Sequence, residues 1–141
     1  MFKIGLHIIE EMRKLGVTPE IVNLYEKNRL LELIYSKFVD EDKKILLWEG
    51  FNDFDYYQSD IAWHLIKNFV GEKECIMFFN QNEETEMFVL KSGKDLDCLL
   101  SETYGFEFYI TDAKANYVIC LNHHNILYGC GTAKPWIGNL K

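Results

Sequence analysis

The stretch Gly105–Gly131, GFEFYITDAKANYVICLNHHNILYGCG, decides the fold. Three short apolar runs, 105–110, 115–121 and 126–131, are joined by the polar links TDAK and NHHN. Runs of that length, rich in β-branched and aromatic residues, read as strands, and links this short favour antiparallel pairing. Phe106, Phe108 and Ile110 alternate with Glu107 and Tyr109, the pattern of a sheet with one buried face. Working back from there, ECIMFFN (74–80) and EMFVLK (86–91), separated by QNEET, read as a further hairpin. SGKDLDCLLSETYG (92–105) reads as a short helix.

The N-terminal part has the other period. Ile4, Ile8, Met12 and Leu15 line one helix face, and Gly16 follows as a left-handed stop. In VTPEIVNLYEKNRLLELIYSKFVDED (17–42) the signals are Thr18 as cap, Pro19 at the first helical position, and Leu24, Leu31, Ile34 and Phe38 on one face. They predict a second helix, with a possible break near Asn28. ILLWEGF, 45–51, reads as a buried strand. NDFDYYQSD, 52–60, reads as the start of a third helix, with Asp55 and Gln58 as a capping box. Ile61, Leu65 and Phe69 would line that helix, widened by Ala62 and Ile66, and Gly71 would end it. Trp136, after Pro135 in the tail GTAKPWIGNLK, is expected to pack against the rest of the domain. The expectation is an α+β fold: one domain over 1–141, N-terminal helices, then a mostly antiparallel sheet with further helices packed on it.

Composition narrows the function classes. With 141 residues, 48% of them hydrophobic, the chain has material for one core, and its 21 aromatics argue against disorder. No apolar run approaches the roughly 18 residues of a membrane span, and Glu10 and Glu11 interrupt the N-terminal apolar stretch. A cytoplasmic protein is therefore expected. Cys75, Cys98, Cys120 and Cys130 have no CxxC spacing and each sits in an apolar segment, which predicts reduced core thiols.

The net charge of −7 is unevenly placed. Residues 1–44 balance with 8 acids and 8 bases, residues 45–113 hold 14 acids against 4 bases, and 114–141 carry 3 lysines and no acid. An acidic middle repels phosphates and attracts basic partners over a Debye length of roughly 8 Å, which argues against direct nucleic-acid binding.

The CLNHHNILYGCG segment (120–131) admits three readings: a metal site, a Cys–His nucleophile, or a turn whose asparagines suit unusual backbone angles. Cys120, His123, His124 and Cys130 lack the paired spacing of closed zinc sites, and both cysteines read as strand residues. No metal or other cofactor is expected. NDFDYYQSD lacks the glycine and glutamate of an EF-hand, and the nucleotide-binding, serine-hydrolase and zinc-protease motifs are all missing. Two acidic clusters stand out: Asp53, Asp55 and Asp60, and Glu83, Glu84 and Glu86. Around the first, Trp48, Phe51, Phe54, Tyr56 and Tyr57 interleave with the acids, suggesting a docking surface for a basic protein.

The size, the helical start, the acidic middle and the YVICLNHHNILYGCG hairpin together resemble the small bacterial immunity proteins of contact-dependent inhibition and related polymorphic toxin systems. The resemblance implies a non-enzymatic protein that neutralises a cognate toxin, a basic nuclease domain above all, with carboxylates standing in for phosphates. No residue role is carried over from it. On charge and aromatic content, the expected contact residues are Asp53, Asp55, Tyr56, Tyr57, Asp60, Glu83, Glu84 and Glu86. The competing expectation is a small metal-dependent or cysteine/histidine enzyme using the Cys120–Cys130 hairpin.

Overall fold

The computed structural model describes residues 2–40, 46–103 and 105–141. The quoted stretch forms the middle of a sheet: β4 (Phe108–Thr111), β5 (Tyr117–Leu121) and β6 (Ile126–Gly131) pair antiparallel, with Ile110 opposite Ile119 and Cys120 opposite Tyr128. Asn125 takes a φ of 58° in the β5–β6 turn, as an asparagine there tolerates. Outward from this centre lie β1 (Phe54–Gln58) beyond β6, and β2 (Cys75–Phe78) and β3 (Phe88–Leu90) beyond β4. The order is β1-β6-β5-β4-β2-β3, antiparallel throughout.

Both sheet faces are covered. Helices α1 (Ile4–Lys14), α3 (Ala62–Val70), α4 (Gly93–Ser101) and α5 (Ala133–Gly138) enclose a first core with Met77, Phe108, Ile110, Ile119 and Leu127. Helix α2 (Leu24–Phe38) and the segment ending at Phe51 enclose a second core with Phe78, Tyr109, Val118, Cys120 and Cys130. This arrangement corrects the expectation of a one-sided sheet. Glu107 is 6% exposed and Tyr109 fully buried, because α2 and the Trp48–Phe51 segment, both remote in sequence, cover the face that alternation alone would leave wet.

Several local readings also change. Helix α2 starts at Leu24, where the Asn23 side chain accepts from the Glu26 N–H at 2.9 Å, and it runs unbroken through Asn28. Thr18 and Pro19 belong instead to a segment that lies along β3. There Val22 N–H donates to Met87 O and Val89 N–H to Glu20 O, both at 2.9 Å, covering that sheet edge. Leu24 is consequently exposed, while Leu30, Ile34 and Phe38 carry the buried face.

Ile45 lies outside the described residues, and Leu47–Gly50 is a 3₁₀ turn rather than a strand. NDFDYYQSD holds strand β1, not a helix start, because FDYYQ, with three aromatics, pairs along its whole length with β6. The Asp55–Gln58 capping box does not form: Asp55 Oδ1 accepts from the adjacent Tyr56 N–H at 2.8 Å. Helix α3 begins at Ala62 and buries Ala62, Ile66 and Val70, so its apolar stripe is shifted one residue from the Ile61 line. Trp136, on α5, packs 5.2 Å from the Phe69 ring, as the sequence suggests. No helix among the described residues is long and apolar enough to cross a membrane.

Candidate functional site

Strand β1 is a sheet edge, paired only with β6 among the named strands. Residues directly opposite in register share a face, so Phe54, opposite Cys130, and Tyr56, opposite Tyr128, lie on the α2 side of the sheet. Phe54 is 39% and Tyr56 53% exposed, and both rings lie against Tyr128, at 5.5 and 6.4 Å. Trp48 stacks on Tyr128 at 5.3 Å. The result is a contiguous aromatic patch on the open corner of the sheet. Tyr57, opposite Leu127, packs on the other face against the first core, so the structure separates it from Tyr56.

The first acidic cluster surrounds this edge. Asp53 accepts from Lys134 Nζ at 2.5 Å, and Asp55 pairs with Lys141, whose Nζ also lies 4.9 Å from the centre of the Tyr56 ring. The Lys141 ammonium, followed by the Tyr56 N–H, holds the Asp55 carboxyl below the usual carboxylate range, and Asp53 pushes the Lys134 ammonium up. Asp60, beyond the end of β1, accepts from Asn125 Nδ2 at 3.4 Å. Between Glu49 and Asp60 the chain carries four carboxylates and no lysine or arginine.

The second cluster is elsewhere. Glu83, Glu84 and Glu86 lie between β2 and β3, four to five strand spacings or roughly 20 Å across the sheet from β1. Glu84 serves the fold, accepting from Gly5 N–H at 2.7 Å and Glu86 N–H at 2.9 Å. Helix α1 has no cap of its own at Lys3, so a distant carboxylate satisfies an orphan N–H at its N-terminus. Gly5 leaves the room, since a Cβ there would lie 2.5 Å from Glu84 Oε1. Glu84→Ala is expected to cost about 1 kcal/mol of stability, read as a fall in the urea midpoint, while Glu86→Ala is expected to change it little.

Sequence reasoning missed a buried polar cluster centred on Glu107. Its Oε1 accepts from Trp48 Nε1 at 3.1 Å and Asn80 Nδ2 at 3.0 Å; its Oε2 accepts from the His123 N–H at 3.0 Å and contacts His123 Nδ1 at 2.6 Å. Tyr109 Oη donates to Asn80 Oδ1 at 2.5 Å and accepts from the Trp48 N–H at 3.1 Å. Burial pushes the Glu107 carboxyl up, but the donors from His123, Trp48 and Asn80 outweigh it and hold the group below its ordinary range. An ionised carboxylate only accepts, so His123 Nδ1 carries the proton, and in the neutral ring Nε2 is an acceptor. The available signal was a lone carboxylate inside the apolar run GFEFYI.

The His123 ring is 57% exposed and stands 3.9 Å from that of His124. It borders a cleft of about 430 Å³ lined among others by Asp60, Trp63, Phe106, Phe108 and Leu121. An imidazole oriented by a carboxylate has the form of a general base, but no hydroxyl or thiol among the described residues hydrogen-bonds to its Nε2. The two cysteines of the hairpin are buried thiols. Burial drives the Cys120 thiol well above its usual range and Cys130 up to about 12, so neither is a thiolate at neutral pH. They are diagonal rather than opposite, Cys120 facing Tyr128 and Cys130 facing Val118. All four cysteines are free, and Cys98 is exposed on α4 instead of buried. Among the described residues, no three His, Cys, Asp or Glu side chains converge as metal ligands. Comparison with known proteins gives no match to a family model, a curated protein or a solved structure.

Proposed function

We propose that the chain is a non-enzymatic binding protein acting in the cytoplasm, where it neutralises a cognate toxin domain as immunity proteins do. The observation that carries this reading is the exposed Phe54–Tyr56–Tyr128 patch at a sheet edge, bordered by carboxylates. Aromatic side chains on an open surface supply binding energy, and the surrounding charge, the four carboxylates Glu49, Asp53, Asp55 and Asp60 against the paired Lys134 and Lys141, a net of −2, steers a basic partner. A nuclease domain, basic where it holds phosphates, fits that chemistry. The Glu83–Glu86 loop is a weaker choice because it lies far from the patch and Glu84 is committed to α1.

The direct test is growth rescue by co-expression with the toxin-like product of a neighbouring gene, together with isolation of the complex. With that partner in hand, Asp53→Lys combined with Asp60→Lys is expected to slow association about tenfold at low salt and flatten its salt dependence. Truncating Tyr56 to alanine is expected to weaken the complex by about 2 kcal/mol, mostly through faster dissociation. Charge reversal at Glu83 and Glu86 should leave association unchanged. Absence of both complex and rescue would sink the reading, and a dependence on Glu83 and Glu86 alone would move the surface to the other sheet edge.

A further inference from the structure

We infer that the cleft beside His123 is an anchor pocket for a guanidinium group, delivered as an arginine side chain of the basic partner. The inference deepens the binding function proposed above and names the chemistry of its partner. The cleft adjoins the β1 edge directly: Gln58 Nε2 donates to His124 O at 3.2 Å, the Ser59 N–H to Asn125 O at 3.2 Å, and Asp60 belongs to the lining. The cleft opens on the α3/α4 face whereas Phe54 and Tyr56 lie on the α2 side, so a partner that covers both wraps around the end of β1 at Asp60.

The lining selects the ligand by what it offers. Asp60 contributes a carboxylate, and His123, its Nδ1–H committed to Glu107, offers a lone pair at Nε2 when the ring is neutral. Trp63, Phe106 and Phe108 supply aromatic surface around these acceptors. Acceptors beside aromatic rings suit a cation, and a planar, weakly hydrated guanidinium suits such rings better than a compact ammonium does. An anion would meet Asp60 at the rim and the ionised Glu107 behind His123. Asn122 Nδ2, a donor in a lining residue without a partner among the described residues, is shut off from solvent and so not available to one. The same chain already shows the preference on its surface, where Lys141 sits between a carboxylate and a tyrosine ring.

The probe is the capped tripeptide Gly-Arg-Gly, titrated into the isotope-labelled full chain and followed by NMR, beside Gly-Lys-Gly and the neutral isostere Gly-citrulline-Gly. The arginine peptide is expected to shift the Trp63 indole N–H and the His123 and His124 amides saturably, the lysine peptide more weakly, and the citrulline peptide not at all. Asp60→Asn, which removes a charge and touches only the long Asn125 contact, is expected to weaken arginine binding at least about fivefold without altering the thermal midpoint. Equal shifts from arginine and citrulline, or shifts confined to Phe54 and Tyr56, would overturn the assignment. Arginine binding without rescue of any toxin would retire the immunity reading and leave the pocket standing. Rescue without arginine binding would do the reverse.

Discussion

Glu107→Ala is expected to lower the unfolding free energy by about 3 kcal/mol. The carboxylate receives hydrogen bonds from Trp48, Asn80 and the His123 backbone and ring. Removing it strands the half-buried Trp48 indole N–H and takes one of two acceptors from the Asn80 amide, which is 3% exposed and keeps Glu83 Oε1 at 3.0 Å. Each buried donor so stranded costs about 1–3 kcal/mol, and bonds to a charged acceptor lie at the upper end. For a urea slope near 2 kcal/mol/M, the midpoint should fall by about 1.5 M. Glu107→Gln should recover part of this, because one amide oxygen can still accept from Trp48 and Asn80 while its NH₂ meets the donors of His123.

The pH dependence gives the charge its own test. The folded carboxyl lies below its ordinary value of 4.5, so its contribution is present above that value and is lost as pH falls through the folded one. Wild type and Glu107→Ala should therefore differ most at neutral pH and draw together in acid. A gap at pH 3 as wide as that at pH 7 would show that packing, not the ionised carboxylate, sustains the cluster.

That cluster also marks where reading the sequence stops. The alternation of Phe106, Phe108 and Ile110 with Glu107 and Tyr109 identifies strand β4, since a period of two is local. Whether the second face is dry depends on α2 and the Trp48–Phe51 segment, both remote in sequence, and periodicity contains no such term. The misreading of NDFDYYQSD has a local cause. Asp55 and Gln58 stand at capping-box spacing before an apolar stripe, while Phe54, Tyr56 and Gln58 equally satisfy the strand period. The strand is realised because β6 offers Tyr128 and Cys130 as cross-strand neighbours. The acidic residues were visible as types, but their separation follows from a strand order that puts β1 and β3 at opposite edges. The cleft joins Asp60, Phe106 and His123 from three distant segments, so only the assembled sheet reveals it.

The second large effect lies at the end of the quoted stretch. Gly131 has a φ of +64°, and a Cβ there would fall 2.3 Å from Asn116 O and 3.1 Å from the Phe38 ring. Gly16 is the natural control: its φ is +77° and a Cβ would meet nothing within 4 Å. Both alanine variants bear the backbone cost of the left-handed region, about 1–2 kcal/mol, so Gly16→Ala should lose about 1 kcal/mol. Gly131→Ala adds a clash with a backbone oxygen that itself accepts from the Thr132 N–H at 3.1 Å, so the junction must open. Its total is expected near 3 kcal/mol, or a thermal midpoint lower by about 10 °C. Because Gly131 joins β6 to α5, that opening would shift Tyr128 relative to Lys134. Partner binding by Gly131→Ala should therefore fall further than its folded fraction explains, whereas Gly16→Ala should bind as wild type once folded. Equal losses in both variants would mean that φ alone, and not the Asn116 contact, makes this glycine necessary.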